Sequence, residues 1–156
     1  MRNTLRNILF VLLIGGAVAL FASDRETNVS GQPTLPTRDI VVNGHRLIVV
    51  EIADDDIERE RGLSFRERLG PDHGMLFAYD ASERLRFWMH GMKFPLDLIF
   101  IRDGRVVSVA ADVPITTAGV PTVVWPEEEA DQVLELNAGD AKRFDIRVGT
   151  EIEMQP

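Results

Sequence analysis

From about Arg38 onward the chain is built of short apolar runs broken by turn residues. DIVVNGHRLIVVEIA (39–53) sets two apolar runs on either side of Asn43-Gly44, a dipeptide that between such runs is a strong hairpin signal. The period then changes. In DDDIERERGLSFRERLG (54–70), Asp54 or Asp55 can cap a helix, Glu58 is placed to complete a capping box, and Gly62 is the natural stop. GMLFAYD (74–80) reads as a strand. ERLRFWMHGMKFPLDLIFI (83–101) reads as two strands joined through Gly91 to Pro95. FPLDLIFI and RVVSVAADV flank Asp103-Gly104 and form a second hairpin. VPITTAGVPTVVWPEEEA (113–130) is irregular. The rest reads as a strand, a helical turn after Gly139 and a last strand. Seven or more short strands joined by tight turns, with one or two short helices, predict a mainly β fold. The expected form is an antiparallel β-sandwich or open barrel rather than a parallel α/β sheet.

The N-terminus has a different pattern. Arg2 and Arg6 precede an unbroken apolar run, Ile8–Phe21, and small residues at Ala17, Ala19 and Ala22 follow the pattern of cleavage sites. This is the layout of a secretory signal segment over residues 1–22. The run is shorter than the ~17–25 residues of a bilayer span, but an uncleaved anchor through residues 8–21, tethering the domain to a membrane, is the alternative. Residues 23–37 (SDRETNVSGQPTLPT) are polar, carry Gly31, Pro33 and Pro36, and read as a flexible linker. Residues 38–156 then form one β-rich domain. The expected location is the periplasm or the extracellular space.

Composition narrows the chemistry. The chain has 156 residues, 45% hydrophobic and 27% charged, as a domain with a core requires. Cysteine is absent, which removes disulfides, thiol nucleophiles and cysteine-based metal sites. Net charge is −8, or −10 once Arg2 and Arg6 are removed. Such a surface repels phosphate backbones, so no nucleic-acid partner is expected.

A few residues stand out. Asp97 sits inside the apolar strand FPLDLIFI, sharing a face with Ile99 and Ile101. A buried carboxylate must be paired. It is therefore either a structural fastener, through an ion pair or backbone N–H groups, or a catalytic or ligand-binding acid. Glu135, between Leu134 and Leu136, points away from both, toward solvent or toward a site. Arg61 and Arg66 flank Gly62-Leu63-Ser64 and could reach Asp97 or Glu135 bidentately. Trp88 and Met89 take opposite faces of one strand, as core or as an apolar ligand floor. His90 is close enough in sequence to Asp97 for an acid–base pair. Ser64 lacks the second glycine of a nucleophile elbow and follows a helix, so a serine hydrolase is excluded. No metal-ligand spacing or phosphate-binding loop occurs, and no cofactor is expected.

ERERGLSFRERL, GMLFAYD, RFWM, FPLDLIFI and VLELNAG, in that order, resemble the uncharacterised prokaryotic family known as domain of unknown function 192. The resemblance spans about Val41 to Glu153. It implies a β-rich, sandwich-like fold and frequent export, with no established activity, cofactor or substrate. Ser64 stands where the family pattern commonly has Met, and His90-Gly91-Met92 where it commonly has Lys-Asn-Thr. A ligand contacted by that second loop would be met differently here.

Three functions follow as expectations. The first is an exported, non-catalytic small-ligand-binding or accessory module of the cell envelope, with Arg61, Trp88, Met89, Asp97 and Glu135 as ligand contacts. The second is an acid–base, hydrolase-like enzyme centred on Asp97 with His90 or Arg61. The third is envelope metal handling through Met89, His90 and Met92.

Overall fold

The computed structural model describes residues 35–116, 119 and 121–155. The expected export segment and all but the last residues of the expected linker lie outside the described residues. Nine strands and two short helices follow: β1 (Thr37–Val42), β2 (Arg46–Ala53), α1 (Asp56–Arg61), β3 (His73–Glu83), β4 (Phe87–Trp88), β5 (Leu96–Arg102), β6 (Arg105–Val113), β7 (Val123–Val124), β8 (Ala130–Asn137), α2 (Asp140–Arg143) and β9 (Ile152–Met154). Both predicted hairpins form. Asn43 and Gly44 (φ 52° and 72°) turn β1 into β2, and Asp103 and Gly104 (φ 52° and 72°) turn β5 into β6. Two consecutive left-handed residues match the twist of the paired strands. Asp55 caps α1 by accepting from the Glu58 N–H at 2.8 Å, and Gly62 ends the helix.

Seven strands form one sheet in the order β6-β5-β8-β3-β2-β1-β9, and β4 pairs with β7 in a separate ribbon. The large sheet curls into a half-barrel whose edges meet at one corner, where Arg105 bridges Glu151 and the Val106 N–H reaches the Thr150 carbonyl at 2.9 Å. The expectation of an antiparallel sheet needs one correction. β2 and β3 run parallel, because the segment carrying α1 crosses the chain back to the end of the sheet where β2 began, as a parallel pairing requires. The segment expected to be irregular also supplies β7, a two-residue strand.

Both sheet faces are covered. β5 is buried at every position from Leu96 to Ile101, as a strand with no solvated side must be. Ile99 and Ile101 join one core with Leu134, Leu136 and Leu76, capped by Phe144 and Ile146 from the α2 region. Leu98 and Phe100 join a second core with Met75, Phe77 and Val133, covered by Leu63, Phe87 and Met89.

Asp97 lies in the first core, wholly buried. β6 is irregular opposite it: Leu96 pairs with Val113 and Leu98 with Ala110, so Ala111 and Asp112 together face Asp97. Asp112 turns to φ 52°, and its N–H donates to Asp97 Oδ1 at 2.8 Å. Asp97 Oδ2 accepts from the Ala141 N–H at 2.7 Å in the first turn of α2. The N-cap of that helix is Gly139, which makes no side-chain cap bond. Asp97 thus caps α2 from another strand and closes the β6 bulge with its second oxygen. A lost acceptor beneath a buried N–H costs ~1–3 kcal/mol. Asp97→Asn, which keeps one accepting oxygen, is expected to lower the melting temperature by roughly 5 °C and Asp97→Ala by roughly 10 °C. Unchanged melting of the alanine variant would remove Asp97 from the support of the fold.

Candidate ligand cleft around Glu135

β8 places Leu134 and Leu136 in the first core, so Glu135 points into the second. There the strand register aligns four residues across one sheet face. Glu51 of β2 is opposite Met75 of β3, Met75 is opposite Glu135 of β8, and Glu135 is opposite Leu98 of β5. Two carboxylates thus flank Met75, two strand spacings or ~10 Å apart in the backbone.

One arginine serves this row. Arg66, 6% exposed, sits in the loop after α1. Its Nη2 donates to Glu51 Oε2 at 2.8 Å and its Nη1 to Glu51 Oε1. Glu135 has no such hydrogen bond. It is 6% exposed, and its Oε2 is buried without a hydrogen-bond partner. Burial drives its pKa up to about 8, with the Arg66 charge pulling the other way. An acid so raised is mostly protonated at neutral pH.

Glu135 forms the floor of a small cleft of about 30 Å³, with Arg61, Ser64, Phe87, Trp88 and Met92 among its walls. That is room for about two waters. The walls come from two loops held together. The Phe65 N–H donates to the Gly91 carbonyl at 2.8 Å, and Ser64 Oγ to the His90 carbonyl at 2.8 Å. Phe65 adopts φ 65°, a strained value for a bulky side chain. Its ring covers Gly91, where a Cβ would come within 2.9 Å of the ring. Trp88 is 55% exposed on the outer face of the β4–β7 ribbon, its indole 5.5 Å from the His90 ring.

The sequence candidates therefore separate. Arg61, Trp88 and Glu135 line one cleft. Met89 does not; it is 1% exposed in the second core. Asp97 is on the strand next to Glu135 but faces the other core, with both oxygens bonded to backbone N–H groups. His90 is exposed beside Trp88, while Asp97 is wholly buried, so no His90–Asp97 pair forms. Arg66 reaches Glu51 rather than Asp97. Among the described residues no three His, Asp or Glu converge as a metal would require. Met92, raised from the sequence with the His90-Gly91-Met92 loop, lines the cleft, and Glu51 beside it was not anticipated. Glu51 carried a readable signal, since it is a lone acid in the apolar run VVEIA, as Asp97 is in FPLDLIFI.

A curled half-barrel with one buried, unpaired carboxyl beneath a two-loop cleft is the class of domain seen here. The family model for domain of unknown function 192, described as "Uncharacterized ACR", matches residues 39–154, and the chain belongs to that family. No curated protein matches the chain. Among solved structures it is similar to a Sinorhizobium meliloti 1021 protein named provisionally as a transcription regulator. Identity is 29% and the TM-score 0.72, over 80% of this chain and 98% of that one. It is also similar to a protein of unknown function from Novosphingobium aromaticivorans DSM 12444. Identity is 33% and the TM-score 0.69, over 81% of this chain and 89% of that one.

The raised pKa of Glu135 fixes the sign of a pH effect. Unfolded, the carboxyl ionises near 4.5; folded, it keeps its proton to about 8. The native state binds more protons in that window, so stability falls as pH rises through it and is level beyond either end. The slope reaches ~1.4 kcal/mol per pH unit. Glu135→Gln is expected to melt above wild type at pH 8.5, with the difference closing toward pH 5. Parallel melting curves across that range would show that Glu135 ionises normally.

Proposed function

We propose that this chain is a non-catalytic small-ligand-binding or accessory module of the cell envelope, and that its ligand enters the cleft over Glu135. The observation that carries this reading is the buried, unpartnered Oε2 of Glu135 at the floor of a cleft open beside exposed Trp88. Buried polar atoms are nearly always satisfied, and one left open at a cleft floor is a place for a ligand atom. The Asp97-centred hydrolase has little support, because the backbone already uses both Asp97 oxygens. An acid–base enzyme centred on Glu135 is the second reading, favoured by that group's raised pKa. The provisional name of the Sinorhizobium relative raises a nucleic-acid role. A net charge of −8 works against one.

The envelope location rests on Arg2, Arg6 and the apolar run Ile8–Phe21. Expressed in full in a Gram-negative host, the protein is expected in the periplasmic fraction, starting at Leu20 or Ser23 if cleaved. Recovery of the intact chain from the cytosol alone would overturn this. For binding, a thermal-shift screen of the full chain against amines, carboxylates, sugars, short peptides and metals is expected to find a ligand that raises the melting point. At one hundred times Kd the stabilisation is ~2.7 kcal/mol, several degrees for a domain of this size. The shift should vanish in Glu135→Gln; one that persists there would place the ligand elsewhere.

A further inference from the structure

The row Glu51–Met75–Glu135 holds one buried and one half-buried carboxyl, and the one arginine beside it is committed through both terminal nitrogens to Glu51. When Glu135 ionises, one positive charge is missing. We infer that the cleft takes the primary ammonium group of a small amine, with Glu135 as its counter-ion and Trp88 against its stem. This deepens the ligand-binding reading above and rests on it.

Three observations agree. The first is the acceptor. Glu135 is 6% exposed, and its Oε2 has no partner. An –NH3⁺ group brings three donors to such an oxygen.

The second is size. About 30 Å³ holds about two waters, enough for an ammonium and its first carbon but tight for a planar guanidinium. The rest of the ligand must then lie outside, along Trp88, whose 55% exposed indole attracts cations and covers methylene groups.

The third is the charge around the carboxyl. Arg59 is held by Asp56, by the Ala78 carbonyl and over the Tyr79 ring, so it is not free to turn to Glu135. Glu60 and Arg61 stand together on the cleft wall with opposite charges. Burial raises the pKa of Tyr79, on the same strand face as Met75, against the pull of Arg59, and the Glu83 and Glu135 charges add to the rise, so it stays neutral at working pH. Arg66 and Glu51 offset one another. With Glu135 ionised, the floor is left one positive charge short. The chain's net charge of −8 favours the approach of cations.

The test uses the full-length protein and three probes of one shape: n-butylammonium, n-butanol and butyrate. Binding is followed at the Trp88 indole N–H by NMR. Butylammonium is expected to shift that signal saturably, and butanol and butyrate are not. Only the ionised carboxylate pairs with ammonium, so apparent affinity should tighten by about tenfold between pH 6.5 and 8. Glu135→Gln, close in shape, should weaken binding at pH 8 at least tenfold while retaining a folded spectrum. Trp88→Ala, at an exposed position, should weaken it several-fold, followed by thermal shift. Saturation by butyrate or butanol but not by butylammonium would overturn the amine and keep the cleft. Saturation by none of the three would overturn both. Butylammonium binding that ignores pH and survives Glu135→Gln would also overturn the inference, because the amine would then sit elsewhere.

Discussion

A sheet covered on both faces has no inexpensive place for a charge, and much of this structure follows from that constraint. Three carboxyls nevertheless stand within the covered sheet, and each is handled differently. Asp97 is satisfied by two backbone N–H groups, one on each oxygen, which lets it serve as cap to α2 and lock to the β6 bulge. Glu51 is met by both arms of Arg66. Glu135 has neither device and holds its proton instead, up to about pH 8. The first two solutions close their groups off. The third leaves a group whose charge state depends on what arrives next to it, which is why interest settles on β8 rather than on β5.

Much of this fold was legible in local pattern. The Asn43-Gly44 and Asp103-Gly104 hairpins, the Asp55 cap and the helical turn after Gly139 are decided by residues close together in sequence. Pairings between distant segments were not. β8 lies between β5 and β3, and nothing within Ala130–Asn137 announces those neighbours. The parallel β2–β3 pair was hidden because only six residues of its connection are helical. The site shows the same division. That Asp97 is buried could be read from its apolar flanks, but its partners, Asp112 and Ala141, come from β6 and α2. Glu135 alternates with leucines as a solvated acid would. Its burial depends on Phe87 and Leu63, which line the same cleft from other segments.

The two loops that shape the cleft carry Ser64 and His90-Gly91-Met92. They are joined to one another by the Ser64 hydroxyl and the Phe65 amide, and Phe65 lies over a glycine that leaves room for its ring. A change in one loop is therefore felt in the other. The carboxyl beneath them belongs to VLELNAG, one of the matching segments.

The order of strands has a consequence for how the polypeptide acquires its shape. β8, which separates β5 from β3, is the eighth strand to be made, and β9, which completes the far edge on β1, is the last. A chain emerging N-terminus first, from a ribosome or through a pore, can form its two hairpins but cannot assemble the large sheet until Asn137 is out. Long-range pairing of this kind is slow to nucleate. The nascent molecule therefore stays open and threadable over most of its length, and it commits to its final state only when nearly complete.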